Sequence, residues 1–379
     1  MVKKSFIFEE VGSERNQKEE AGVISRSAKN NNKSLLLFWF YSLLFLIALM
    51  IIVGGLTRLT DSGLSITEWK PISGVLLPFS ENAWQQEFLK YQEIPEYKLQ
   101  NLGMSIDEFK VIYYWEWGHR QLGRIIGLVW FFGLSALLLA QKITLSWSKR
   151  SLVIGILIGF QGFLGWWMVS SGLNGARIDV ASYRLGIHLT SAFIIFGLIF
   201  WYILRLRRTE VSLIQSQRYA NGSLIKITNM VLLLLYVQIF LGALVAGIDA
   251  GRTYTDWPLM AGEFLPTLAF ELNPLWRNFF ESEALVQFNH RLSGYLLIIV
   301  VIYSWFKFRS SSNQNLRIYF NWVFLAVLGQ VILGIITVLY AAVWYIAILH
   351  QFSAIILTGL VLLAKFEANY PGIQFAKSS

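Results

Sequence analysis

The sequence predicts an all-α polytopic membrane protein with eight transmembrane helices, arranged as two tandem four-helix bundles of the same orientation. Of its 379 residues, 55% are hydrophobic and 15% are charged, and the mean hydropathy of +0.51 is too high for a soluble chain of this size. Because lipid offers the backbone no hydrogen-bond partner, apolar stretches of about 20 residues must cross a membrane as helices. The predicted spans are 35–56, 119–140, 151–171, 184–204, 228–248, 287–306, 318–339 and 343–364.

Positive charge is concentrated in alternate loops. Lys and Arg follow the second, fourth and sixth spans, whereas the loops near 57–118 and 249–286 are rich in Asp and Glu. The positive-inside rule therefore places both termini in the cytoplasm, and it accounts for the net charge of +9 without a nucleic-acid partner. Residues 1–34 are predicted to be a disordered cytoplasmic tail, 205–227 a cytoplasmic linker and 366–379 a second cytoplasmic tail.

The order of short motifs predicts an internal duplication. A histidine–arginine pair, with glycine four residues after the histidine, opens span two at His119 and span six at His290. A histidine followed by small residues at i+3 and i+4 opens span four at His188 and span eight at His350. The same order pairs Asp61 with Asp249, Glu68 with Asp256, Trp69 with Trp257 and Gln161 with Gln330. Matches in one order predict two tandem units. These units are 35–204 and 228–365.

The four histidines are the main candidates for metal ligands. The absence of cysteine excludes disulfides, zinc–thiolate sites and iron–sulfur clusters carried by this chain. Each histidine lies near the outer end of an even-numbered span, so each bundle presents two imidazoles at similar depth. We predict two bis-imidazole haem sites, because zinc or copper would require a third suitable ligand. The predicted pairs are His119 with His188 and His290 with His350. A single buried histidine can also be a hydrogen-bonded core residue.

Glycines lie on the same helical face as the first histidine. Gly123 and Gly127 follow His119 at i+4 and i+8, which leaves room for a planar ligand. Helix packing through small residues is the alternative interpretation.

One position distinguishes the two halves. Glu116 precedes His119 by nearly one helical turn, and Gln287 occupies the equivalent position before His290. A carboxylate can transfer protons, whereas an amide does not titrate. The sequence therefore predicts a chemically active site in the first half and an electron-passing haem site in the second. In the alternative interpretation, Glu116 is a loop acid at a helix N-terminus.

Several arginines are candidates for pairing with haem propionates. Arg120 and Arg291 directly follow the first and third histidines. Further candidates are Arg58, Arg124, Arg177 and Arg184. Snorkelling of the side chain to the membrane surface is the alternative for each. The loop from about 72 to 114 is predicted to form short helices that cover the first site.

Six stretches together match a known family. They are Gly54 to Thr60, Trp115 to Arg124, Asn174 to Asp179, Asp256 to Met260, Asn289 to Arg291 and Leu349 to Gln351. In these stretches the chain resembles haem A synthase, in the cysteine-free branch found in mitochondria and alphaproteobacteria. The resemblance implies a haem-dependent oxidoreductase of the cell inner membrane, or of the mitochondrial inner membrane in a eukaryote. The implied reaction converts haem O to haem A by two hydroxylations of one porphyrin ring methyl and dehydration to a formyl group.

The resemblance also implies roles for the candidate residues. The second-half pair, His290 and His350, matches the ligands of haem b, with Arg291 beside it, and the first-half pair matches the ligands of the substrate haem. Glu116 matches the essential carboxylate of the family. Implied partners are haem O, haem A, the bilayer and, by analogy, the enzyme that makes haem O. The electron donor and the source of oxygen stay open.

Two other functions are compatible with the residues alone. One is a di-haem membrane cytochrome that exchanges electrons with quinone, and the other is a transporter or haem-handling chaperone. The outer-loop cysteine pairs of the other family branch are absent here, so no role of those thiols is carried over.

Overall fold

The computed structural model describes residues 12–173 and 177–372, and for residues 12–31 it describes the backbone alone. Within these ranges eight helices are long and apolar enough to cross a membrane, as the sequence predicts, and no strand is formed. The long helices are α1 (Gly12–Leu59), α4 (Ile106–Leu139), α5 (Leu145–Leu173), α6 (Ser182–Leu206), α8 (Gly222–Gly247), α10 (Glu283–Arg309), α11 (Gln314–Leu339) and α12 (Trp344–Asn369). The shorter ones are α2 (Glu81–Gln92), α3 (Pro95–Leu99), α7 (Glu210–Gln217) and α9 (Asn278–Glu281).

The start of the second spanning helix differs most from the prediction. Helix α4 begins at Ile106, whereas the predicted span begins at 119. Ser105 and Glu108 form a capping box there, since each side chain accepts a hydrogen bond from the backbone N–H of the other. The interpretation of Glu116 as a loop acid is therefore wrong, because this residue lies well inside a helix.

The predicted tails also differ from the structure. The chain is helical from Gly12 onward, where the sequence predicts a disordered tail to residue 34. This segment contains Glu, Lys and Ala and no proline, and lengthening an existing helix needs no new nucleus. At the other end α12 continues to Asn369, beyond the predicted boundary at 366. The linker predicted at 205–227 contains the short helix α7.

The spanning helices pack as two rings of four. Helices α1, α4, α5 and α6 contact one another around the first ring, and α8, α10, α11 and α12 around the second. The rings meet where α6 packs on α8 and where α12 packs on α1. Each of these contacts joins the fourth spanning helix of one half to the first of the other. This packing agrees with two four-helix units, while their origin by duplication stays a prediction.

The loop between α1 and α4 folds into helices, as predicted. Helices α2 and α3, together called the cap (residues 81–99), form a second core with the first turns of α4. Trp84, Phe88, Tyr91 and Phe109 are buried in this core, which also includes Ile66 from the segment that follows α1. The cap is therefore packed beside the part of α4 that carries Glu116.

A buried acid makes the cap sensitive to pH. Glu96 is only 4% exposed, and the hydroxyl of Tyr91 donates a hydrogen bond of 3.0 Å to its carboxylate. Burial raises the pKa of Glu96 to about 8 from an ordinary value of 4.5, and the neighbouring carboxylates of Asp179 and Glu116 act in the same direction. The folded cap thus retains a proton that the unfolded chain releases. The stabilisation of the cap by this proton on Glu96 is complete below pH 4.5 and is lost as the pH rises through 8.

We expect the Glu96→Gln variant to remove this dependence. The free energy of opening of the wild-type cap should fall by about 1.4 kcal/mol per pH unit between the two pKa values, whereas that of the variant should stay level. Hydrogen exchange of the α2 and α3 amides, corrected for intrinsic rates, measures both from about pH 6 to pH 9. A wild-type cap with constant protection over this range would contradict the assignment.

Candidate functional site

All four histidines line one cavity of about 370 Å³, a volume in the ordinary range for ligand sites. They come from four different helices, α4, α6, α10 and α12. The cavity reaches both halves of the protein, because residues of the α6–α8 and α1–α12 contacts also line it. The sequence predicted two histidine pairs but gave no indication that a single cavity would join them.

Each imidazole lies against a glycine of the preceding spanning helix. A Cβ atom added at Gly54 would lie 2.9 Å from Cε1 of His119, and one added at Gly242 would lie 2.9 Å from Cε1 of His290. The other two pairs are Gly165 with His188, at 3.4 Å, and Gly334 with His350, at 3.3 Å. These contacts between glycines and imidazoles were not predicted from the sequence. The fold shows that they make room for the rings.

The second histidine pair has a spacing that suits a shared metal. The ring centres of His290 and His350 lie 6.5 Å apart, with the ring planes at 86°. A metal about 2 Å from one nitrogen of each ring, with each ring centre about 1 Å further back, would separate the centres by about 6 Å. The residues of this pair therefore fit an iron bound between them.

The first pair shares the same surroundings. His119 and His188 both line the cavity that also contains the second pair. The buried Nδ1 atoms of both rings, and that of His350, have no hydrogen-bond partner among the described residues. Since buried polar atoms normally have a partner, these three imidazoles suit a bound group that satisfies them.

Glu116 is buried in a network of hydrogen bonds one turn before His119. It is 4% exposed, and its Oε2 accepts hydrogen bonds from the Ser65 hydroxyl (2.7 Å) and the Ile66 N–H (2.8 Å). Arg120 donates to its Oε1 at 2.6 Å. Glu116 is not among the residues that line the cavity, so it meets a ligand there only if these bonds are exchanged.

The second half repeats this network with an amide. Gln287 is 1% exposed and donates a hydrogen bond of 3.0 Å to the Tyr254 carbonyl. Arg291 donates to the same carbonyl (3.0 Å) and to the side chain of Gln287 (3.3 Å). In the first half Arg120 likewise donates to the Ile66 carbonyl, at 2.9 Å. The two networks thus differ chiefly in whether the central side chain can hold a charge.

The candidate arginines all contact protein groups. Arg58 lies between Asp61 (2.7 Å) and Asp249 (2.8 Å), and so joins the two halves. The remaining pairs are Arg124 with the Lys70 and Pro71 carbonyls, Arg177 with Glu281, and Arg184 with the Trp167 carbonyl. Of Asn174 to Asp179, a stretch that carries the family resemblance, residues 174–176 lie outside the described residues.

A second difference between the halves was not recognised from the sequence. Gln238 of α8 lies 3.2 Å from Nδ1 of His290 and donates to the His290 carbonyl at 3.1 Å. A Cβ added at Gly294 would lie 3.2 Å from this amide, just as one added at Gly123 would lie 3.5 Å from the methyl of Met50. When the two halves are aligned so that Gly54 corresponds to Gly242, Met50 corresponds to Gln238. The glycine that follows the third histidine by four residues thus packs on an amide, whereas the one that follows the first histidine packs on a thioether. Around Gly127 no heavy atom of the described residues lies within 4 Å of an added Cβ. Neither Gly123 nor Gly127 lines the cavity, so the space that they would leave for a planar ligand stays a prediction.

The two histidine pairs are linked across the halves by Gln351. This residue follows His350 on α12, and its Nε2 donates a hydrogen bond of 2.6 Å to the Ile51 carbonyl of α1. Its amide lies directly on Gly55, where an added Cβ would be 2.5 Å away. When the two halves are aligned so that His188 corresponds to His350, Leu189 corresponds to Gln351. The equivalent residue at the α6–α8 contact is therefore apolar.

Comparison with known proteins identifies the family. Residues 37–362 match the model of the COX15-CtaA family, described as cytochrome oxidase assembly protein. The chain is 54% identical over 373 residues to the heme A synthase of Dinoroseobacter shibae. This aligned region covers 98% of this chain and 97% of that protein. The chain belongs to the haem A synthase family. Family members named heme A synthase also include those of Roseobacter denitrificans (52% identical, 85% of each chain) and Paracoccus denitrificans (48% identical, 85% of this chain and 84% of that one).

We expect the Gly55→Ala variant to be destabilised by about 1 kcal/mol, because the new methyl group must displace the flexible Gln351 side chain and break its hydrogen bond to the Ile51 carbonyl. The Gly55→Ala/Gln351→Leu double variant replaces this contact with the alanine and leucine found at the matching positions, Ala243 and Leu189, and should recover most of the loss. Thermal unfolding of the purified proteins in one detergent measures both. If Gly55→Ala alone is as stable as the wild type, the close contact does not exist.

Proposed function

We propose that the protein is a haem A synthase that converts haem O to haem A. The reaction consists of two successive hydroxylations of one porphyrin ring methyl, followed by dehydration to a formyl group. The observation that carries this proposal is the likeness, over 98% of the chain, to a protein named heme A synthase. Paired imidazoles around one cavity supply the matching chemistry. The relatives named above do not support the alternative of a di-haem electron-transfer cytochrome.

The second half is proposed to hold haem b between His290 and His350. A bound haem b would supply a one-electron carrier at this position. The protein's own part is to orient the ligands: Gln238 contacts the ring of His290, and glycines seat both rings. Arg291 is assigned to the same site because its buried Nε has no partner among the described residues and so retains a donor.

The first half is proposed to hold the substrate. His119 and His188 take the iron of haem O, and Glu116 serves as the proton-handling group beside them. The Ser65 hydroxyl and the Ile66 N–H orient its carboxylate, and Arg120 balances its charge. Gln287 cannot take this role because an amide carries no titratable proton.

The protein is proposed to lie in the inner membrane with both termini in the cytoplasm. Substrate and product are then exchanged with the lipid, since haem O carries a long apolar tail. The enzyme that makes haem O is a proposed partner on this chemistry, and a redox partner of unknown identity is a second one.

The carboxylate is tested by replacing Glu116 with the residue of the second half. Glu116→Gln should lower haem A formation about 100-fold or more, while haem b binding is retained. Porphyrin extraction from cells that also make haem O measures the product, and the reduced-minus-oxidised spectrum of the purified protein measures haem b. The reverse change, Gln287→Glu, is the matched control and should not reduce haem A formation. Normal product from Glu116→Gln would exclude the proposed role.

The division between the halves is tested by two alanine variants. His290→Ala should lose the haem b spectrum of the purified protein, because one of two axial ligands is removed. His119→Ala should retain that spectrum and lose haem A formation. The reverse pattern would exchange the roles of the two pairs. An unchanged spectrum of His290→Ala would exclude His290 as a haem b ligand, and normal haem A formation by His119→Ala would exclude His119 from the substrate site.

A further inference from the structure

Residues 69–79, between α1 and the cap, lie along the side of α4. Arg124 donates hydrogen bonds to the carbonyls of Lys70 (2.9 Å) and Pro71 (3.0 Å). Gln121 donates to the carbonyls of Gly74 (3.1 Å) and Val75 (2.9 Å). A Cβ added at Gly74 would lie 3.0 Å from Nη2 of Arg124, so the backbone approaches the helix closely. The segment is thus fixed to α4 through its own carbonyl groups.

The contact points, Gln121 and Arg124, fall within the predicted span 119–140. Helix α4 ends at Leu139, and a hydrocarbon core of about 30 Å corresponds to about 20 helical residues counted back from there. The opposite boundary of the core therefore falls near His119. Arg124 is about 15 residues from Leu139, which places it about 8 Å inside the core.

The segment presents apolar side chains outward at this level. Ile72 is 85% exposed and Phe79 is 81% exposed. Trp69, Val75 and Leu76 are also exposed. On the adjoining surface of α4, Ile125 and Leu128 are exposed as well, as expected of a lipid-facing helix. The apolar surface of the segment thus continues that of the spanning helix.

The bonding of Arg124 also suits a place with little water. Within the part of the chain that the structure describes, no carboxylate lies within ion-pair distance of this side chain. Carbonyl oxygens of the segment accept hydrogen bonds from its Nε and Nη2 instead, while its buried Nη1 has no partner among the described residues. Non-helical backbone at membrane depth requires such internal satisfaction of its polar groups, and a charged side chain there pairs with backbone carbonyls.

We propose that residues 69–79 form a re-entrant segment that inserts Ile72, Leu76 and Phe79 among the lipid acyl chains of the leaflet on the cap side. Trp69 then lies at the polar boundary, where tryptophan is enriched. The segment leads directly to Ser80, which caps α2, so it anchors the cap to the bilayer. Lipid is the occupant that the structure favours, because the exposed apolar surface is continuous with that of α4.

The absence of cysteine from the chain allows a direct test. Single variants Ile72→Cys and Leu102→Cys carry a nitroxide spin label in the full-length protein, reconstituted in phosphatidylcholine nanodiscs. Leu102 is the matched control. Its side chain is 78% exposed, and it lies beside Glu108, Val111 and Ile112, about 18–24 Å from Arg124 along the axis of α4. Phe79→Cys is a second test position, in case a label at 72 disturbs the backbone.

Power saturation compares the access of oxygen, which concentrates in lipid, with that of a water-soluble nickel chelate. We expect the oxygen-to-nickel ratio to be several-fold higher for labels at 72 and 79 than for the label at 102. Equal nickel access at all three positions would mean that the segment lies in water. Low access of both reagents at 72 and 79 would mean that protein covers them. Either result would overturn the proposal.

Discussion

The burial of four imidazoles at membrane depth is the constraint on which the rest of the structure depends. A polar ring inside a bilayer must be given space and partners by the protein, since lipid supplies neither. Here the space comes from glycine on the preceding helix, at Gly54 and Gly242 most closely. Because this arrangement recurs for every histidine, it fixes which helices must be neighbours. It pairs α1 with α4, α5 with α6, α8 with α10 and α11 with α12.

Against this shared frame, the chemistry lies in the departures from symmetry. Glu116 faces a network that in the other half is built around Gln287. In the opposite sense, the polar Gln238 contacts the third histidine where Met50 lies near the first half's glycine. The half with the titratable acid thus has the less constrained imidazole, and the half with the amide has the more firmly held one. The less constrained imidazole suits a substrate that reacts and leaves, and the more firmly held one suits a cofactor that stays bound.

The spans and the histidine pairs could be predicted from the sequence because they depend on local composition and on repeated spacing. The start of α4 could not, because the polar stretch after Ser105 becomes helical by packing on the cap, which hydropathy does not record. The surroundings of Glu116 were also out of reach, since Ser65 and Ile66 are about 50 residues away in the chain. The same holds for Gln351, whose acceptor is 300 residues distant.

The position of Arg58 makes each half of the protein depend on the other. Its guanidinium contacts Asp61 and Asp179 of its own half and Asp249 of the other, and Asp61 and Asp249 both adopt left-handed backbone conformations at the ends of their helices. One cation is thus shared by three carboxylates that come from both halves. Separation of the halves would leave Asp249 without this partner, so the shared charge holds the halves together in addition to helix packing.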